Sequence, residues 1–129
     1  MSDEIALTFG LRVRKTIGAG ITNAFQADIE TQRLTRDLTG TRKYANTQTI
    51  GTSYEAVTVG ADLASRGYAF FRNLDPTNFV EIGGEVNSSF AGRIKLIAGD
   101  VAILPLSTDG LYARADTGAV ELDYLILER

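Results

Sequence analysis

From Ile5 to Val13 every odd position is apolar (Ile5, Leu7, Phe9, Leu11, Val13), while Ala6, Thr8, Gly10, Arg12 and Arg14 hold the even ones. A period of two sends alternate side chains to opposite faces, so this segment predicts a strand with one buried face. Gly18-Ala19-Gly20 interrupts it. Phe25, Ala27 and Ile29 then alternate with Gln26, Asp28 and Glu30 and predict a second strand. Beyond it, Leu34 and Leu38 stand at helical spacing, as do Arg33 and Asp37. Four threonines between Thr31 and Thr41 favour extended backbone instead. Residues 16–46 are expected to form a long polar ribbon or arm, projecting into solvent or lying on a neighbouring subunit.

From Gly51 onward, short β-type runs recur every eight to twelve residues with glycine-bearing turns between them. Tyr54–Val59 is one run. Tyr68–Leu74 and Phe79–Ile82 flank Asp75-Pro76-Thr77-Asn78, where Pro76 suits the second position of a type I turn, and they predict a β-hairpin. Gly83-Gly84 opens an expected loop of about ten residues. Ile94–Ile97, Val101–Leu106, Leu111–Ala115 and Val120–Leu127 follow, separated by Gly99-Asp100, Asp109-Gly110 and Asp116-Thr117-Gly118. No convincing amphipathic helix, repeat or linker interrupts the pattern. The expected fold is all-β: a single antiparallel β-sandwich over residues 1–129, jelly-roll-like, with an extended N-terminal arm.

Several of these strands are apolar on both faces. Val120, Leu122, Tyr124 and Ile126 share one face of the last strand, but Leu125 and Leu127 continue the other. Tyr68, Phe70 and Leu74 oppose Ala69 and Phe71, and Val101–Leu106 is apolar in both phases. Antiparallel sheets ordinarily keep one face wet, so the second apolar face needs a cover. The arm, a second copy of the chain, or a host surface would each serve. Phe71, Leu104, Leu125 and Leu127 are the expected interface-facing set.

Composition narrows the chemistry. The 129 residues contain neither cysteine nor histidine, which removes disulfides, thiolate sites, and the commonest general base and metal ligand. Thirteen basic residues are scattered among sixteen acidic ones, for a net charge of −3, so no nucleic-acid partner is expected. No apolar run has the length of a membrane span, and Met1-Ser2-Asp3-Glu4 is acidic where a signal peptide is basic. A protein made in the cytoplasm is expected.

Candidate sites for chemistry are few. Asp28 with Glu30, and Glu121 with Asp123, are same-face carboxylate pairs, a type that can hydrolyse glycosides when one member is desolvated. On polar strand ends such pairs read as solvated surface. Asn73, Asp75, Asn78 and Glu81 cluster oxygens around a turn, but without calcium-loop spacing, and such residues serve their own backbone. Arg72 stands among apolar neighbours and is expected to pair with Glu81 or Asp123. No catalytic residue, metal or cofactor is assigned.

Residues 67–83 (Gly-Tyr-Ala-Phe-Phe-Arg-Asn-Leu-Asp-Pro-Thr-Asn-Phe-Val-Glu-Ile-Gly), with residues 48–57, 94–106 and 111–125, resemble small structural proteins encoded among tailed-bacteriophage morphogenesis genes. The resemblance covers about residues 47–128 and omits 16–46. It implies a non-enzymatic β-sandwich virion component, a capsid decoration or cement protein assembled in the host cytoplasm. Its implied partners are itself, as a homotrimer, and the major capsid protein. A tail, fibre or baseplate part is the alternative within that class. A carbohydrate-binding sandwich is the alternative outside it, disfavoured by the absence of tryptophan.

Overall fold

The structure, a computed structural model, describes residues 5–16, 24–36, 40–61, 63, 65–107 and 110–129. The acidic start, Gly18-Ala19-Gly20, Asp37 and Leu38, and Asp109 of the predicted turn lie outside these residues. Among those described, all regular structure is strand.

The chain divides into two compact units, Met1–Leu38 and Thr39–Arg129, where the sequence predicts a single domain with an arm. In the first, β1 (Ile5–Thr16) pairs antiparallel with β2 (Ala24–Arg36) as a two-stranded sheet. Thr31 and Thr35 of the threonine-rich stretch lie in the extended backbone of β2, as expected, whereas Thr39 lies outside the described residues. The arm's boundaries change. The ribbon includes β1, and residues 43–46 belong to the second unit. The register slips between Phe9 and Leu11, where Gly10 leaves room for a bulge. Its expected single buried face is uneven, since Ile5 is buried and Phe9 is 55% exposed.

The second unit consists of two antiparallel four-stranded sheets. One has the order β3 (Lys43–Ile50), β10 (Val120–Glu128), β5 (Arg66–Asn73), β8 (Val101–Pro105). The other has the order β4 (Glu55–Ala56), β9 (Tyr112–Ala115), β6 (Val80–Val86), β7 (Ser89–Leu96). Alternation decides what they bury. Ile50, Ala69, Phe71, Val120, Leu122, Tyr124 and Ile126 from the first sheet form one core with Val80, Ile82, Leu96, Ala113 and Ala115 from the second. Tyr124 holds its ring 6.2 Å from Phe71 and from Tyr44. Its hydroxyl donates to the Thr58 carbonyl at 2.5 Å, which satisfies a phenol in a dry interior.

The predicted hairpin across Asp75-Pro76-Thr77-Asn78 does not form. β5 and β6 lie in different sheets, so the segment is an arch rather than a tight return. The turn chemistry is as read, since one Asp75 carboxylate oxygen accepts the Thr77 and Asn78 backbone N–H groups at 2.8 and 2.5 Å. That chemistry closes a turn without dictating whether the flanking strands pair. Residues 51–54, 97–100 and 116–119 also cross between sheets, and the ladder registers put all four crossings at one end. Conversely, where a long loop is predicted after Gly83-Gly84, β6 and β7 form a hairpin. Its turn residues Asn87 and Ser88 have φ of 51° and 60°, as in a two-residue primed turn.

Asn73 ties two of these arches together. It is fully buried, and its Nδ2 donates to the carbonyls of Asn78 (2.9 Å) and Leu96 (3.0 Å). Its Oδ1 accepts the Asp75 N–H at 2.9 Å. Its backbone N–H donates to the Asp100 carbonyl, and the Gly99 N–H donates to its own carbonyl.

Asp75 gives a pH signature. The backbone N–H groups of Asn78, first, and Thr77 hold its carboxyl below the usual value of 3.8. A depressed folded-state value contributes stability that is present above the unfolded value and disappears as pH falls through the folded one. The urea midpoint of the wild type is therefore expected to fall below pH ~4, and that of Asp75→Asn to fall less steeply. Parallel acid profiles would show that the carboxylate is not the group responsible.

Candidate functional site

The outward face of the β3-β10-β5-β8 sheet is set by the same alternation. Opposite the core positions, the register aligns Ala45, Leu125, Phe70 and Ile103 in one row across all four strands. With strands about 4.8 Å apart, the row spans about 14 Å. Ile103 is 54% and Val101 56% exposed, whereas Phe70, Leu125 and Leu127 are half-buried. Tyr68 pairs with Pro105 on the adjoining rung. An apolar strip therefore crosses the middle of the face, with threonines and carboxylates to one side of it.

Two of the four predicted interface residues lie on this face. Leu125 and Leu127 point outward. Phe71 is a correction: it is completely buried in the core. Leu104 is another. It pairs with Ala69 and packs against the core, so it belongs to the inward phase of β8. Phe70, Val101 and Ile103 take their places. The available signal was the apolar character of both phases, which marks the strand without naming the phase.

The Glu121–Asp123 pair serves the surface, and the side chain of Asp28 lies outside the described residues. Thr47 Oγ1 donates to Asp123 at 3.2 Å, and Thr49 Oγ1 donates to Glu121, all on the outward phase of β3 and β10. Glu30 is exposed on β2. The four oxygens around the arch diverge. Asn73 and Asp75 are committed to backbone, Asn78 Oδ1 accepts the Thr117 hydroxyl at 3.2 Å, and Glu81 takes Arg114 at 2.9 Å. Arg72 is exposed and stands opposite Asp123 and Val101 in the ladder.

A second feature lies at the end of the sheets away from the arches. A cleft of about 540 Å³ is bounded by Leu104–Ser107 on one side and by residues of β6, β7 and the start of β9 on the other. Its apolar wall includes Ile82, Ile94 and Leu106, and its charged groups are Arg66, Arg93 and Glu85. The negative charge of Glu85, and the hydrogen bond it accepts from the phenol, raise the pKa of Tyr112 above its usual value. The sequence reading did not find this cleft, because its residues come from separated segments.

On the outward side of β6 and β9, Tyr54 stacks on Phe90 at 5.7 Å and meets Tyr112 edge-on at 5.8 Å. The Arg114 guanidinium lies 5.0 Å from the Phe90 centroid. These rings spend their faces on one another. No family model, curated protein or solved structure matches the chain, so the reading of this surface rests on its own geometry.

Proposed function

We propose that this chain is a non-enzymatic structural protein that works by assembly, as a homotrimeric capsid decoration or cement protein of a tailed-phage virion. The observation carrying this reading is the apolar row Ala45-Leu125-Phe70-Ile103 on an outward sheet face. A sheet face of this kind loses free energy when another protein surface dries it, at roughly 25 cal/mol per Å². An interface near 800 Å² per partner, repeated over a shell, strengthens it without chemistry.

The strand orders support a jelly-roll β-sandwich. In both sheets a late strand lies between two early ones, β10 between β3 and β5 and β9 between β4 and β6, as in paired Greek keys. Jelly rolls recur in viral shells and also in lectins. Ring-on-ring packing commits Tyr54, Phe90 and Tyr112 to one another rather than to sugar stacking, which favours the assembly reading.

The test combines mass and binding. The wild type is expected to scatter light as a trimer and to bind shells stripped of accessory proteins saturably. Ile103→Lys with Leu125→Lys should reduce the mass to a single chain and abolish shell binding, with the thermal midpoint nearly unchanged. A wild-type monomer at high concentration that leaves stripped shells bare would overturn the reading.

A further inference from the structure

The cleft at the β8 end carries a separate inference. In the β6–β7 ladder, Ile82 opposes Ile94 but Gly83 opposes Gly92, which leaves Arg93 as the extra residue of a bulge. Bulges re-aim side chains, and here the re-aimed residue lines the cleft. The bulge depends on glycine: a Cβ at Gly83 would sit 2.0 Å from the Ala91 carbonyl oxygen. Arg93 is exposed and has no hydrogen-bond or ion-pair partner among the described residues. The fold therefore builds a local irregularity that presents a free guanidinium beside an apolar wall. The lining holds two arginines and one glutamate, a cationic excess of one in a chain whose net charge is −3.

We propose that this cleft binds a small amphipathic anion, an aliphatic carboxylate whose head pairs with Arg93 and whose chain lies on Ile82, Ile94, Leu104 and Leu106. The volume lies within the range of small-molecule sites, which combine an apolar lining with a few polar groups that orient the ligand. Guanidinium suits a carboxylate because its planar fork matches both oxygens. This inference is independent of the assembly reading, because it rests on Arg93 and the wall of Ile82, Ile94, Leu104 and Leu106, none of which stands in the outward row Ala45-Leu125-Phe70-Ile103.

The probe is octanoate, with octan-1-ol as its uncharged counterpart, titrated into the full chain and followed by amide NMR shifts. Octanoate should saturate at millimolar concentration and move Gly83, Gly84, Arg93 and Leu106. Arg93→Gln should weaken octanoate about tenfold, the value of one charge-assisted contact, and leave octanol unchanged. In the wild type, added salt should weaken octanoate and not octanol, a readout that needs no variant. The proposal falls if octanoate fails to saturate, if its shifts map elsewhere, or if octanoate and octanol respond alike to salt and to Arg93→Gln.

Discussion

Replacing Asn73 with leucine is expected to cost about 4 kcal/mol of folding stability, since each buried polar group left without a partner costs about 1–3 kcal/mol. The substitution strands the carbonyls of Asn78 and Leu96 and the N–H of Asp75, three groups that the carboxamide now satisfies. The two arches it joins would lose their shared tie together. Asn73→Asp should cost more at neutral pH, because it brings a carboxylate oxygen against two carbonyl oxygens where Nδ2 now donates. Urea unfolding measures both. An Asn73→Leu midpoint equal to wild type would show that the arches hold without the side chain.

Phe71→Ala should be nearly as severe, at about 4 kcal/mol, because truncating a fully buried phenylalanine loses its transfer energy and leaves a cavity. The neighbouring Tyr124 ring, 6.2 Å away, would lose one of its aromatic contacts. This result separates core from interface. A residue on an assembly surface would change the scattering mass and spare the unfolding midpoint of the separated chain. Phe71→Ala should lower that midpoint directly, whereas Phe70→Ala, one position along on the outward phase, should lower it far less. Equal effects at both positions would mean that the inward and outward phases of β5 have been assigned the wrong way round.

Much of the fold was legible as a list of strands. The strands over 101–105, 112–115 and 120–128 fall within a residue or two of the runs that predict them, because each run is bounded by glycine or aspartate turn signals. The part of the threonine-rich segment that falls in β2, Thr31 to Arg36, is extended as expected, since β-branched side chains favour the pleated backbone. The predicted hairpin at 75–78 fails for a definable reason. An aspartate that captures two backbone N–H groups makes a turn equally well within a sheet or between sheets. Pairing is decided by which strands are already present, and β5 is flanked on both sides, by β10 and β8.

The candidate site was half legible. Leu125 and Leu127 were found because Glu121 and Asp123 mark their phase as outward. β5 misleads in the opposite direction. Its inward phase reads Gly67, Ala69, Phe71, Asn73, small or polar at every position except Phe71, while Tyr68 and Phe70 on the other phase resemble a core. The cleft was invisible because Arg93 acquires its direction only from a slipped register.

What the amino-acid order by itself determined is local: extended backbone, the positions of turns, the absence of cysteine and histidine chemistry, and an excess of apolar strand faces. These follow from side-chain shape and spacing within a few residues. The tertiary structure alone decided which phase of each strand faces the core, which strands are neighbours, and where Asn73 finds its partners. Those depend on contacts between segments far apart in the chain, as between Asn73 and Leu96. A period-two pattern that is apolar in both phases satisfies either orientation until the opposing sheet is in place.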